Sequence, residues 1–129
     1  MNERAIPAPS IDPESEAFYA AAGQGRFLIR RCRVCGRAHW HPRSSCPFCF
    51  GDTEWSEASG EGEIYSFSVM RRAEPPWAIA YVKLAEGPTM LTNIVATPFD
   101  AIAVGKPVKL LFAPTDGAGP PVPCFRVVA

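Results

Sequence analysis

The chain of 129 residues has the mass of one domain, and no part of it contains the roughly 18 consecutive apolar residues that a membrane helix needs. Thirteen basic and thirteen acidic side chains give a formal net charge of zero, so the chain as a whole has no electrostatic attraction to nucleic acid or to an anionic membrane. We therefore expect a soluble protein that does not bind membranes.

The N-terminal part of the chain predicts an extended arm followed by a short helix. The arm covers residues 1–10. Asp12 is placed to cap a helix at residues 13–22, with Pro13 in its first turn and Gly23 at its end. A helix of this length does not persist alone in water, so its apolar face should pack on the rest of the chain or on a partner.

Two C-x-x-C pairs follow a predicted strand at residues 25–31. Each pair can form a tight knuckle, and the ten-residue gap between them brings the four thiolates to one ion: Cys32, Cys35, Cys46 and Cys49. Two disulfides would require an oxidising compartment, but residues 1–10 lack the apolar segment of a signal peptide. A redox C-x-x-C normally occurs singly. We predict a closed four-cysteine structural zinc site in a cytoplasmic protein, with iron as the chemical alternative.

Other residues near the predicted knuckles have expected roles as well. Gly36 directly follows the second cysteine of the first knuckle, where the chain should need a positive φ. Gly51 has a similar place in the second knuckle, two residues after Cys49, and is expected to have a positive φ as well. His39 and His41 are metal ligands by type, but four cysteines already complete a tetrahedron, so both are expected to be exposed polar positions. Cys124 is expected to be a buried thiol that acts as a small apolar side chain.

Basic and acidic residues are separated along this region. Residues 26–43 contain six arginines and no acidic residue, and an acidic run follows at residues 52–63. The preference for arginine over lysine suits the recognition of phosphate and carboxylate groups. Codon preference in a GC-rich genome would explain the same preference. The arginines could also offset the negative charge of a zinc–tetrathiolate centre.

From residue 59 onward the pattern is that of a small β barrel. Residues 65–69 alternate with the period of a half-buried strand, which puts Tyr65, Phe67 and Val69 on one face. Residues 77–84 are apolar on both faces, as in a central strand. Further strands are predicted at 89–95, 108–112 and 125–128, and a short helical turn at 98–104. Five short strands with one interruption favour an OB-fold barrel over an SH3-like barrel.

The fold class is therefore predicted to be mainly β. It comprises an N-terminal arm and helix at residues 1–24, a rubredoxin-like zinc ribbon at 25–58 and a five-stranded OB-fold barrel at 59–129. The order of motifs over nearly the whole chain resembles that of the DUF35 OB-fold proteins, which are also described as acyl-CoA-associated. In chain order these motifs are GRFL from Gly25, RCxxCG from Arg31, PRxxCPxC from Pro42, EW at Glu54, SGEG from Ser59 and VGKPV from Val104.

The resemblance implies a non-catalytic accessory subunit that binds acyl-CoA and supports a thiolase-like or MaoC-type enoyl-CoA hydratase partner. A homodimer and a hetero-oligomer both remain open. The sequence motifs also disfavour an enzyme, since the chain has no G-x-S-x-G elbow, H-E-x-x-H helix or glycine-rich phosphate loop. A closed zinc site, moreover, leaves no open position for a catalytic water.

Coenzyme A requires cations for its phosphates and an apolar slot for its pantetheine arm. The candidate cations for the phosphates are Arg43, Arg71 and Arg72. The candidates for lining the apolar slot, or for stacking on the adenine ring, are Trp40 and Trp77. Residues 71–77 also have a structural explanation without a ligand: Arg71 and Arg72 would be solvated charges at a strand end, and the segment up to Trp77 would be an ordinary surface turn.

The alternative function is nucleic-acid binding, which older descriptions of the DUF35 family assign. Residues 62–129 contain six basic and five acidic side chains, and this near balance speaks against a groove that follows a phosphate backbone.

Overall fold

The computed structural model describes residues 5–128, so the first four residues of the predicted arm and residue 129 lie outside the described residues. Its elements in chain order are the helix α1 (Glu16–Ala22), the strands β1 (Leu28–Cys32), β2 (Ala38–His39), β3 (Thr53–Glu57), β4 (Glu61–Met70), β5 (Trp77–Leu84) and β6 (Thr89–Ile94), a 3₁₀ turn (Phe99–Ala101), and the strands β7 (Pro107–Ala113) and β8 (Val122–Val127). None of the helices within residues 5–128 is long and apolar enough to cross a membrane.

The helix α1 is shorter than predicted, because the residues before it form a closed turn. The Ser15 N–H donates to Asp12 Oδ1 at 2.8 Å, and the Asp12 N–H donates to Ser15 Oγ at 3.1 Å. The same Ser15 N–H reaches the Asp12 carbonyl, three residues back, at 3.1 Å. This i to i+3 bond makes the turn tighter than an α-helix, so Asp12 stabilises the turn and regular helix begins at Glu16.

The apolar face of α1 packs on its own chain. Phe18, Ala21 and Ala22 are buried, and the Phe18 ring lies 5.0 Å from the Trp40 ring between centroids. A partner is therefore not needed to cover this face.

The zinc-ribbon part is a three-stranded antiparallel sheet in the order β2-β1-β3. Strand β3, which the sequence analysis did not predict, pairs with all of β1, from Leu28 opposite Glu57 to Cys32 opposite Thr53. This pairing brings two arginines of the basic stretch next to the acidic run, with Arg26 3.0 Å from Glu57 and Arg33 3.4 Å from Glu54. Both ion pairs are exposed and contribute little to stability.

The barrel is closed, with strand order β4-β5-β6-β8-β7, and this order confirms the OB-fold prediction. All its pairs are antiparallel except β6 with β8, where Ile94 lies opposite Phe125. All five predicted strands are present within a few residues of the expected bounds. Strand β5 is central, but only one of its faces is buried. Its inward side chains are Ala78, Ala80, Val82 and Leu84.

The expected aromatic face of β4 does not enter the core. A β-bulge between Ile64 and Ser66 shifts the pairing with β5 by one residue. Ile64 is 1% exposed and fills the core, whereas Tyr65 is 65% and Phe67 39% exposed. Tyr65 is the residue at the bulge and is exposed, whereas beyond it Phe67 and Val69 lie opposite Ala80 and Ala78, the inward residues of β5, and Val69 packs against the core.

Candidate functional site

The four cysteines of the two knuckles lie together, as their spacing predicts. Their Sγ atoms all lie within 4.8 Å of one another. Cys32 Sγ is 3.5 Å from Cys49 Sγ, and Cys35 Sγ is 3.7 Å from Cys46 Sγ. A tetrahedral zinc with Zn–S bonds of about 2.3 Å needs sulfur–sulfur separations of about 3.8 Å. The donor set and its dimensions therefore fit a structural zinc ion held by four thiolates.

Backbone N–H groups support these sulfur atoms. The N–H groups of Val34 and Cys35 each donate to Cys32 Sγ at 3.3 Å, and the Phe48 N–H donates to Cys46 Sγ at 3.4 Å. The bond from the Cys35 N–H is the main reason why the pKa of Cys32 falls to about 6. Such donors stabilise the thiolate form that a metal requires.

The two knuckles differ in how they turn. Gly36 has the expected positive φ of 76°, but the equivalent position of the second knuckle is Phe50, with φ 64°, so the expectation for Gly51 was wrong. Gly51 is required for a different reason. A Cβ on this residue would lie 2.8 Å from Val34 Cγ2 and 3.2 Å from Cys32 Sγ, so only glycine lets the second knuckle approach the first.

His39 is buried, which corrects the expectation of an exposed position. It is 3% exposed, and its Nε2 accepts the Arg43 N–H at 3.3 Å. Burial lowers the pKa of His39, so the neutral ring is favoured. Its Nδ1 has no hydrogen-bond partner among the described residues. His41 is exposed and Cys124 is buried, both as expected.

A groove of about 560 Å³ separates the zinc ribbon from the turn between β5 and β6. We name it the arginine groove. Residues 86–89 form its barrel side, and its ribbon side includes Arg31, Arg37, His39, Trp40, Pro47 and Phe48. A second groove of about 340 Å³, the helix groove, lies beyond Trp40. Its lining includes Tyr19, Trp40, Ile79, Leu91 and Val122. The two grooves meet at Trp40, which lines both of them.

The cations of the arginine groove are held by local contacts. The Arg37 guanidinium carbon lies 3.7 Å from the centroid of the Phe48 ring, and Arg31 Nη1 donates to the Gly36 carbonyl at 2.7 Å. Glu86 is the acidic residue of the lining, and its Oε2 accepts the Ser59 N–H at 2.8 Å. The two guanidinium groups and the exposed Phe48 ring can receive an anion attached to a planar ring, whereas the Glu86 carboxylate would repel an anion on its side of the groove.

The sequence analysis selected Trp40 but did not select Arg31 or Arg37 for this site. Both lie in the arginine-rich stretch, yet that stretch alone does not indicate which of its members face the barrel. The pairing of Arg31 with Ala38 across β1 and β2 determines which members line the groove.

The five residues predicted to bind coenzyme A do not lie in one place. Arg43 is exposed after β2, and its carbonyl accepts the Thr53 hydroxyl at 2.6 Å. Arg71 and Arg72 are exposed in the turn between β4 and β5, next to Trp77 at the start of β5. The arginine groove meets the barrel beyond the other end of β5, about 23 Å away along the strand. The helix groove comes closer to this group, because Trp40 lines it together with Ile79, two residues after Trp77 on β5.

Comparison with known families gives two matches along the chain. Residues 20–56 match the rubredoxin-like zinc ribbon domain of ChsH2, and residues 55–113 match the C-terminal OB-fold domain of ChsH2. The first matched segment contains the end of α1 and nearly all of the ribbon sheet, and the second contains most of the barrel.

Three relatives with curated names share about a third of their aligned residues with the chain. A Thermomonospora curvata protein named "Probable enoyl-CoA hydratase alpha subunit" is 35% identical over 117 residues, which are 85% of this chain and 36% of that protein. Proteins of Methanocaldococcus jannaschii and Methanothermobacter thermautotrophicus, each named a DUF35 domain-containing scaffold protein, are 32% identical over 90 residues, or 64% of this chain. These 90 residues are 64% and 68% of the methanogen proteins, so the chain spans only about a third to two thirds of its relatives.

Two solved structures have the same fold. A chain of the "Ltp2-ChsH2(DUF35) aldolase" superimposes with a TM-score of 0.82 at 33% identity, covering 94% of this chain and 99% of that one. A DUF35 protein of unknown function from Sulfolobus solfataricus gives a TM-score of 0.67 at 21% identity, covering 90% of this chain and 86% of that one, and supports the fold alone.

Proposed function

We propose, from the premise that this chain belongs to the DUF35 family of zinc-ribbon and OB-fold proteins, that it is an accessory subunit that binds acyl-CoA for a thiolase-like or enoyl-CoA hydratase partner. The partner supplies the chemistry, and this chain holds the thioester. Zinc has a structural role in this proposal, because all four of its ligands come from the ribbon and the set is closed.

The observation that carries acyl-CoA binding is the meeting of the two grooves at Trp40. Arg31 and Arg37 offer cations to the phosphates on one side of this residue, and the helix groove, whose lining includes Ile79, Leu91 and Val122, offers a path for the pantetheine arm on the other. Trp40 is half-buried against Phe18 and Phe27, so its ring is held in position before a ligand arrives.

The names of the relatives support the choice of partner. One relative is named a hydratase subunit, two are named scaffold proteins, and one structural match comes from an aldolase complex.

The chemistry of the described residues supports the accessory role. The thiols at the ribbon are the zinc ligands, and His39 is buried, uncharged and hydrogen-bonded to the backbone. A reduced cytoplasmic location is proposed with it, since free thiolates are needed to bind the metal.

Arg71, Arg72 and Trp77 remain the second proposed contact region, and Arg43 is retained as a peripheral candidate. These residues could reach a ligand that is shared with a partner protein. Substitutions in the arginine groove and in the β4–β5 turn distinguish the two regions, because acyl-CoA binding should be lost on substitution of only one of them.

The test uses the purified zinc-loaded chain and its partner. Calorimetric titration with acetyl-CoA and a longer acyl-CoA should show saturable binding, and copurification with a thiolase-like or hydratase protein from the same organism should yield a stable complex. Turnover by that partner should fall when the chain is omitted. Tight binding of single-stranded oligonucleotides with a steep salt dependence, together with no response to CoA esters, would favour the nucleic-acid alternative and contradict the proposal.

A further inference from the structure

A hollow of about 340 Å³ lies on the outer face of the barrel, where β4, β5 and β6 are paired. We name it the barrel hollow. In the strand register, Ser66 lies opposite Tyr81 and Ser68 lies opposite Ile79. Ile79 and Tyr81 alternate with the inward side chains of β5, so both point outward. Two small side chains thus lie beside two large ones, which leaves space between them. The lining also includes Phe67, Ala80 and Leu91.

The barrel hollow is continuous with the helix groove. Ile79 and Leu91 line both of them, and Leu91 lies opposite Tyr81 across the pair of β5 and β6. The helix groove in turn meets the arginine groove at Trp40. One concave surface therefore runs from the cations of the arginine groove, past Trp40, to the barrel hollow.

The chemistry of this surface changes along its length. The arginine groove carries Arg31 and Arg37, whereas the described lining of the barrel hollow has no charged side chain. Tyr81 and Leu91 are 47% and 51% exposed, so apolar surface faces water at the hollow and covering this surface is favourable. The volume of the hollow lies within the roughly 300–1,000 Å³ that is typical of ligand pockets. The barrel hollow therefore suits an apolar chain and not a further phosphate group.

We propose that the barrel hollow receives the acyl group of the bound thioester, and that the protein therefore prefers long apolar acyl groups to acetyl. This rests on the proposed function, because the phosphates and the pantetheine arm must occupy the two grooves for the acyl group to reach the hollow.

The order of the three surfaces selects this occupant. In an acyl-CoA the phosphates, the pantetheine arm and the acyl group follow one another along one chain. The cationic arginine groove, the helix groove and the uncharged barrel hollow follow one another in the same order. Because Tyr81 and Leu91 are exposed, the hollow stays open toward a partner protein that acts on the thioester.

The experiment compares the binding of acetyl-CoA and octanoyl-CoA to the zinc-loaded chain by calorimetric titration. Each fully buried methylene favours binding about fourfold, and the open hollow buries only part of each. Wild type should therefore bind octanoyl-CoA about 10- to 100-fold more tightly than acetyl-CoA. Ser66→Trp should fill the hollow and bring the two affinities to within about threefold of each other, with acetyl-CoA binding unchanged.

Tyr81→Ser and Tyr65→Ser form a matched pair, because both are exposed tyrosines on neighbouring strands, and Tyr81 lines the barrel hollow whereas Tyr65 does not. Tyr81→Ser should reduce the preference for octanoyl-CoA about fivefold, and Tyr65→Ser should leave the preference unchanged. Circular dichroism and zinc content verify that each variant is folded.

Equal affinities of wild type for the two esters, or a preference for octanoyl-CoA that survives Ser66→Trp, would overturn the inference and leave the proposed function intact. Binding of neither ester would overturn both. A Ser66→Trp chain that keeps the preference but no longer copurifies with a hydratase would overturn the inference in favour of a protein-docking surface.

Discussion

Phe27 of the ribbon packs edge-on against Phe125 of barrel strand β8, with ring centroids 6.3 Å apart and ring planes at 74°. Both rings are essentially buried. Phe27 also contacts Phe112 of β7 at 6.4 Å and Trp40 of the ribbon at 6.3 Å. One hydrophobic core therefore extends from α1 through the ribbon into the barrel, and it fixes the grooves that lie on either side of Trp40.

The first prediction concerns this shared core. Phe27→Ala should lower the free energy of unfolding by about 3–5 kcal/mol, since it removes a buried ring and leaves a cavity between ribbon and barrel. Chemical denaturation monitored by circular dichroism measures the change. Phe50→Ala is the control, because Phe50 is 85% exposed, and it should change stability by no more than about 0.5 kcal/mol. Equal effects of the two substitutions would contradict a shared core.

The second prediction concerns the metal. Cys46→Ser should reduce bound zinc from about one ion per chain to none and unfold the ribbon sheet, because metal-binding free energy is folding free energy in such modules. Atomic absorption and circular dichroism measure the two effects. Cys124→Ala should keep its zinc, since Cys124 is a buried residue of β8 outside the cysteine cluster. Thermal stability that is the same with and without a chelator would count against a structural role.

The third prediction is a pH dependence. Burial lowers the pKa of His39 from its ordinary value of 6.5, so the unfolded chain takes up a proton at a higher pH than the folded chain does. Stability should therefore fall as the pH decreases from about 6.5 toward the lowered folded-state pKa. An NMR titration should place the His39 pKa below 6.5, with His41→Ala used to assign the two ring signals. A value at or above 6.5 would refute the buried, neutral ring.

The fourth prediction concerns the arginine groove. Arg37→Ala should weaken acyl-CoA binding by about 10- to 100-fold, because a hydrogen bond to a charged group typically contributes about 1.5–3 kcal/mol. Arg33→Ala is the control, since Arg33 is an exposed arginine of the first knuckle that pairs with Glu54 and is not part of the groove lining. Calorimetric titration measures both. If Arg72→Ala weakens binding and Arg37→Ala does not, the site lies at the β4–β5 turn instead.

Most features that local sequence determines were predicted correctly, although the second knuckle has its positive φ at Phe50 and not at Gly51, and the helix begins at Glu16. The zinc-ligand spacing, the positive φ of Gly36 and the five barrel strands depend on short-range periodicity and turn chemistry, which can be read along the chain. Strand β3 was missed because its alternation is weak and its sheet partner, β1, lies about 25 residues earlier in the chain.

Register and long-range packing determine the remainder, and these arise only in the folded chain. The bulge after Ile64 leaves Tyr65 exposed, and contacts across β1 and β2 bury His39 and direct Arg31 and Arg37 to the groove. The sequence alone thus determined which modules this protein contains, because each module depends on nearby residues. Only the tertiary structure decided which side chains meet at Trp40, because the two grooves there join segments that are distant in the chain.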